Sequence, residues 1–368
     1  MPIIDNSVIL ELNHNYEVFC KSIEFREGED FYVENPSVFE LSYNENPLGP
    51  GRFAVDCLGR LAAFAHRYPP LGYSILVDKL ADNLGLLREN LLITPGSVAA
   101  IHLAITAFAD ERNGVIFSKA SLPWYRWATL GNHSTPEIVP LKKDMHHDLE
   151  AMLSRITTET RVIILANPNN PTGLYIDENC LKDFHSQIPE DVILIVDQAY
   201  YEYQSNQEKS LIGMVNDVPN LLLTRTFSKI HGLAGMRVGY AIGNKEVIQA
   251  TKSKWLGFMP SVTSLSCFAA YHALSDEDHI VQSRDFNNDT KHALSNLFNE
   301  YSLHCLGGDA NFVAINIQDS KKYEHLFKEQ NMAYSAGWHF GYPDWARISF
   351  DKRTEIMLEK LNSIFKKL

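Results

Sequence analysis

Apolar positions along the chain follow two rhythms. Between about residues 90 and 245, short apolar runs at 115–117, 162–166, 192–196 and 221–223 alternate with stretches of helical spacing such as 98–109 and 149–156. Short buried strands alternating with helices predict a parallel sheet covered by helices on both faces, an α/β architecture. Upstream, 52–66 and 74–84 carry apolar residues at helical spacing. After about residue 255 the rhythm changes: 261–274 and 285–301 read as helices, and 311–317 and 345–350 as strands of a smaller α+β unit. Residues 1 to about 40 are polar with scattered aromatics and break at Asn35-Pro36, so they read as an arm. The expected division is therefore 1–45 as arm and part of the small domain, 46–255 as the large domain and 256–368 as the C-terminal small domain.

The apolar runs end in polar residues suited to chemistry. The run 221–223 leads into TRTFSKIHGLAGMRVGY at 224–240, where Lys229 stands alone. An ordinary lysine amine, with a pKa of about 10.4, is a poor nucleophile at neutral pH; held in a cleft near another cation it can be depressed and form a Schiff base. Arg237 supplies such a cation, Thr226 and Ser228 supply hydroxyls, and Gly232, Gly235 and Gly239 are expected to let backbone approach a ligand. Asp197 ends the run 192–196, and NPNNPTG at 167–173 follows the run 162–166. Gly96-Ser97 opens the helical stretch 98–109, and free N–H groups at such a start suit a phosphate.

Charge and composition narrow the classes of function. With 368 residues and a net charge of −12, the chain lacks the basic surface that nucleic acid or an anionic membrane would need. Any phosphate must be held locally. Five scattered cysteines, Cys20, Cys57, Cys180, Cys267 and Cys305, form no C-x-x-C, so neither a disulfide framework nor a zinc site is expected. His146-His147 reads as a solvated pair, and no metal is expected. The opening MPIIDNSVIL lacks a basic segment followed by a long apolar one, and no run reaches the ~18 apolar residues of a membrane span. A reducing, cytoplasmic setting is expected.

NPNNPTG, VDQAYYEY at 196–203 and SKIHGLAGMR at 228–237, together with LSYNENPLGP at 41–50 and RYP at 67–69, occur in one order across residues 41 to 349. In these motifs the chain resembles the pyridoxal-phosphate enzymes of the aspartate aminotransferase fold (fold type I, class I/II), most closely the histidinol-phosphate aminotransferase branch. The resemblance implies a large domain with a mainly parallel seven-stranded sheet between helices, a smaller α+β domain, and a homodimer. It implies that Lys229 carries the cofactor as a Schiff base and moves the substrate proton, and that Asp197 holds the pyridine nitrogen protonated. Asn170 and Tyr200 would donate to the ring phenolate, and Tyr125 would stack on the ring. The amides of Ser97 and Val98, with Ser228, Arg237 and, from the neighbouring subunit, Tyr68, would hold the phosphate. Arg347 in WARISF would grip the substrate carboxylate through its guanidinium fork. Asn44, Glu45 and Asn46, before Pro47, form a loop that could line the cleft, with Asn46 a further candidate for binding substrate.

The resemblance implies an aminotransferase passing an amino group between an amino acid and a 2-oxo acid. A lyase of the same fold (decarboxylation, elimination or cyclisation) would use the same lysine and aspartate. A true histidinol-phosphate enzyme of this branch carries an arginine for the substrate phosphate on the strand before the last arginine motif; here the stretch reads MAYSAGWHF at 332–340. Tyr334, Ser335 and Ala336 offer no cation there, which predicts that histidinol phosphate is a poor substrate unless Arg26, Arg52 or Arg126 supplies the charge. Tyr334, Trp338 and His339 are expected to meet a planar or polar amino-acid side chain.

Overall fold

The computed structural model describes residues 23–25, 32–34, 37–69, 71–204, 211–255 and 262–368. Its centre is a seven-stranded sheet in the order Leu91–Thr94, Gly239–Gly243, Leu221–Thr226, Ile193–Asp197, Thr160–Ala166, Gly114–Ser118, Thr135–Val139. The last five pair in parallel, and Gly239–Gly243 runs antiparallel to both its neighbours.

Side-chain alternation divides the core into two layers. Ile163, Leu165, Leu194, Val196, Leu221 and Leu223 face one side and pack with helices Ser74–Leu84 and Ser264–Ala273. Val162, Ile164, Ile193, Ile195 and Leu222 face the other and pack with helices Ser97–Phe108 and Lys245–Ser253. Strands covered on both sides need apolar residues at successive positions, which is why these runs are continuous rather than alternating.

The smaller unit is a four-stranded antiparallel sheet in the order Cys305–Leu306, Phe312–Asn316, Trp345–Ser349, Ser335–Ala336. Helices Glu277–Glu300 and Thr354–Phe365 contribute Leu294, Phe298, Leu361 and Phe365 to its core, where Phe39 and Leu41 also lie. Strand Phe39–Glu40 pairs in parallel with Met332–Ala333, so the segment entering the large unit is anchored on the small one. Helix Ser264–Ala273 packs the other way: Cys267, Ala269, Ala270 and Ala273 join the large core. The boundary expected near residue 255 therefore falls before a helix that the large unit owns.

Register sets the location of the site. Ala166 is level with Asp197, Asp197 with Thr224, and Gly239 with both Thr94 and Thr226. The polar ends of four strands thus share one edge of the sheet, where α/β folds bind ligands.

Candidate active site

At that edge, helix Ser97–Phe108 begins after Gly96, which has a φ of 82° and provides no capping side chain. Its first N–H groups point to the edge, carrying the positive end of the helix dipole. Arg237, in the left-handed region at φ 49°, lays its guanidinium over this start: a Cβ on Gly96 would sit 2.7 Å from Nη2. Arg237 Nη1 donates to the Ala234 carbonyl at 2.9 Å and, at 3.5 Å, to Ser228 Oγ. Thr226 fixes Ser228 by donating to its hydroxyl at 2.9 Å and accepting its N–H at 3.1 Å. Helix start, guanidinium and hydroxyls together form an acceptor for a dianion.

Two strands away, Asp197 is buried at the end of its strand. Tyr125 donates to Oδ2 at 2.8 Å and Thr224 to Oδ1 at 3.2 Å. Burial raises the carboxyl pKa, and the two hydroxyls pull it back. A buried carboxylate of this kind suits a protonated ring nitrogen.

Lys229 follows Ser228 and reaches between the two units. Its Nζ donates to the carbonyls of Tyr43 at 2.9 Å and Asn44 at 3.0 Å, and lies 5.7 Å from the centre of the Tyr200 ring. Burial is the main cause that lowers the amine pKa to about 7; the Arg347 guanidinium comes next and Arg237 adds to it, against the opposing charges of Glu45 and Asp197. Near neutral pH a large share of this amine is therefore unprotonated, ready to attack a carbonyl or accept a proton. Tyr200 accepts a hydrogen bond from Asn44 Nδ2 at 2.9 Å, and burial pushes its phenol up to about 12.

Arg347 crosses from the small unit. Nη1 donates to Asn170 Oδ1 at 2.5 Å, and Nη2 to Ser335 Oγ at 2.6 Å and to the Ser42 carbonyl. Asn170 thereby commits its carbonyl oxygen to the arginine and keeps its NH2 end for a second partner.

This donor set fits pyridoxal phosphate: a dianion cradle, a buried carboxylate for the ring nitrogen, an amine of lowered pKa for the aldehyde, and a tyrosine and an amide for the phenolate. The family model described as "Aminotransferase class I and II" matches residues 37–364. The chain belongs to that family. It is a pyridoxal-phosphate-dependent aminotransferase of fold type I. Among curated relatives, histidinol-phosphate aminotransferase 1 of Nitrosococcus oceani is 32% identical over 319 residues, 86% of this chain and 85% of the relative. An aromatic amino acid aminotransferase of Rhodococcus jostii is 38% identical over 242 residues, 66% of this chain and 67% of the relative. The histidinol-phosphate aminotransferase of Sinorhizobium meliloti, solved with pyridoxal-5'-phosphate, shares the fold at a TM-score of 0.82, with 24% identity and coverage of 89% and 90%.

In this aminotransferase, Lys229, Asp197, Tyr200, Asn170, Tyr125, Ser97, Ser228, Arg237 and Arg347 gather at this sheet edge and where the small unit meets it, with Val98 following Ser97 in the helix's first turn. The Tyr125 hydroxyl donates to Asp197, a contact the sequence did not indicate. Tyr68 is 79% exposed on its own chain.

Other expectations are corrected. Tyr334 does not face the cleft: its ring stacks on Phe327 at 3.9 Å and its hydroxyl donates to the Ser320 carbonyl inside the small unit. The next residue, Ser335, opens strand Ser335–Ala336, points the other way and meets Arg347. Trp338 packs on the small-unit core under the Lys321 ammonium, with His339 against its ring, while Phe340 lies beneath Arg347, 5.6 Å from the guanidinium. Asn46 is used up in anchoring its loop: Nδ2 donates to the Ile230 carbonyl and Ser283 Oγ, and Oδ1 accepts from the Leu48 N–H. Asn44, two residues earlier, reaches the site instead. Gly239 and Gly232 make room for this chain's own backbone, at Gly96-Ser97 and Gly49-Pro50, rather than for a ligand. His147 is buried, with Nδ1 at Ser118 Oγ and Nε2 at the Ala166 carbonyl, and burial lowers its pKa to about 4; only His146 of the pair is partly exposed. Arg52 pairs with Asp56 on the surface and Arg126 is exposed beside the buried Tyr125, while Arg26, Asn35-Pro36 and Cys20 lie outside the described residues.

Proposed function

We propose that Lys229 is the cofactor-bearing and proton-moving residue of an aminotransferase acting on an amino acid with an unphosphorylated side chain. The observation that carries this reading is the buried Lys229 amine, held on the Tyr43 and Asn44 carbonyls 5.7 Å from the centre of the Tyr200 ring, with the buried Asp197 carboxyl and Arg347 guanidinium both acting on its charge. When bound, pyridoxal phosphate supplies the conjugated electron sink for the pair left at the substrate Cα. This chain's residues do the rest. Arg347 takes the substrate carboxylate in its fork, exchanging the Ser42 carbonyl for it, and so directs the Cα hydrogen toward Lys229 Nζ. The neutral amine accepts that proton and can return it. With the cofactor bound, Asp197 would hold a proton on the ring nitrogen, Tyr200 and Asn170 would donate to the ring oxygen, and the helix start with Arg237 and Ser228 would bind the phosphate. Phe312 and Phe340, with ring centres 5.5 and 5.6 Å from Arg347, keep water from the ion pair.

The substrate reading rests on position 335. The strand beside Arg347 presents a serine hydroxyl already donated to by the guanidinium, so a phosphate ester with close to two negative charges finds no second cation there. The relative named for aromatic amino acids supports the same choice. Rates for a panel of amino acids beside histidinol phosphate test it: a preference for the phosphate ester overturns the substrate class. Release of a decarboxylated or eliminated product, without accumulation of the aminated cofactor, would favour the lyase chemistry instead.

A homodimer in the cytoplasm completes the reading. Tyr68 and Phe64 are exposed, and Phe53, Cys57, Leu61 and Phe268 line an apolar cleft between helices Arg52–Leu61 and Ser264–Ala273, surfaces suited to a second copy. Among the described residues no helix is long and apolar enough to cross a membrane. Sedimentation of the cofactor-loaded protein as a monomer would sink the dimer.

A further inference from the structure

Asn44 is 2% exposed, and each of its polar groups has a partner in or next to the site. Its side-chain NH2 donates to the Tyr200 oxygen at 2.9 Å, and its side-chain carbonyl accepts from Ser349 Oγ at 2.6 Å. Its backbone N–H donates to the same Ser349 oxygen at 3.1 Å. Its backbone carbonyl accepts from Lys229 Nζ and from Asn311 Nδ2, both at 3.0 Å. Ser349 lies two residues beyond Arg347 on one strand. One residue therefore joins the phenol and the amine of the large unit to the strand that bears the carboxylate-binding arginine.

The polarity of these bonds has a chemical consequence. Because Ser349 donates to Oδ1, the amide is fixed with its NH2 toward Tyr200. The Tyr200 oxygen is then an acceptor on that side, and its own proton must point elsewhere, into the cleft. A donor on the phenol oxygen also makes the phenol a stronger donor in turn. We propose that Asn44 is a positioning residue that sets the direction and strength of the Tyr200 proton, and through it the proton affinity of the lysine–cofactor linkage. The inference rests on the assignment of Lys229 and Tyr200 given above. A strong donor to the ring oxygen stabilises its charge most when no proton is shared from the linkage nitrogen, so it lowers that nitrogen's proton affinity.

The backbone at Asn44 has a φ of 53°, so Asn44→Gly removes the side chain while keeping both carbonyl contacts and an accessible conformation. Asn44→Asp keeps the shape and reverses the polarity, because a carboxylate accepts the phenol proton and turns it away from the cleft. The holoenzyme's visible absorbance is titrated against pH. The expected midpoint rises in Asn44→Gly by about 0.5 to 1 pH unit, the scale of one ordinary hydrogen bond, and rises further in Asn44→Asp. Ser349→Ala, which frees the amide to turn, shifts it the same way by less. Midpoints unchanged in both Asn44 variants, or an Asp variant no different from Gly, overturn the proposal; a change in melting temperature alone marks a purely structural residue. Should wild-type protein give no borohydride-fixed adduct on Lys229, the underlying site assignment fails instead, and the two failures are told apart.

Discussion

The two arginines of the site sit in opposite circumstances. Arg237 is exposed, holds its left-handed backbone at the end of a short turn, and makes one firm bond to a carbonyl and a long one to Ser228. Arg347 is buried and gives its guanidinium protons to Asn170, Ser335 and the Ser42 carbonyl. Arg237 therefore keeps hydrogen-bonding capacity in reserve for a resident anion. On the proposed role, a carboxylate reaching Arg347 would have to replace one of these partners, and so would act on the segment that carries Ser42, Tyr43 and Asn44. The proposed cofactor end is thus open to a further partner, and the proposed substrate end is already filled by the chain's own groups.

The largest effect tests the residue between them. Lys229→Ala is expected to lower turnover by about 10³-fold and to abolish the borohydride-fixed mass adduct; an adduct on another lysine would displace the assignment. Arg347→Lys should lower kcat/KM by roughly 10- to 100-fold, chiefly through KM for the amino acid, since a point charge replaces a fork. Arg237→Lys should instead weaken cofactor retention roughly tenfold with little change in amino-acid KM. If the two substitutions act on the same constant, the contrast between the arginines is wrong.

A smaller effect is read from pH. In the cofactor-free protein, labelling of Lys229 by an amine reagent should show a midpoint near the amine pKa of about 7, far below the ordinary 10.5. Between those values the unfolded chain holds the extra proton, so this group makes stability rise as pH climbs from about 7 to 10.5. Urea titrations of wild type and Lys229→Met check the sign. Least affected should be catalysis in Tyr334→Phe: losing the bond to the Ser320 carbonyl should cost about 1 kcal/mol of stability and leave KM unmoved. Ser335→Ala, one residue on, should change KM as well as cost about 1 to 2 kcal/mol of stability, because its hydroxyl is bonded to the Arg347 guanidinium and the Ser42 carbonyl.

What was legible came from residues whose chemistry is tied to a position along one strand or one turn. Asp197 closes an apolar run, Lys229 follows a serine after another, and Gly96-Ser97 opens a helix, so sequence order alone brings them to one sheet edge. The substrate end was read less well because it is assembled from segments far apart. Tyr334 and Ser335 could be assigned to the cleft only as a stretch, since which of two neighbours faces inward depends on the register with Trp345–Ser349. The alternation itself was available as a signal, with Ser335 level with Arg347. Asn44 and Asn46 differ only in which way a loop turns.

By itself, then, the sequence determined the layered α/β core, through continuous apolar runs that only a doubly covered sheet can bury, and the placement of Lys229, Asp197 and Gly96-Ser97 at one sheet edge, through polar residues that close or follow those runs. The tertiary structure alone decided which side chains meet across the two units. The antiparallel insertion of Gly239–Gly243, the burial of His147 against Ser118, the anchoring of Asn46 on Ile230 and the bonds of Asn44 to Tyr200 and Ser349 all join residues separated by many tens of positions or placed on different elements. Hydrogen bonds act over about 3 Å, whereas apolar patterning acts along the chain, so the first is invisible until the fold has closed the distance.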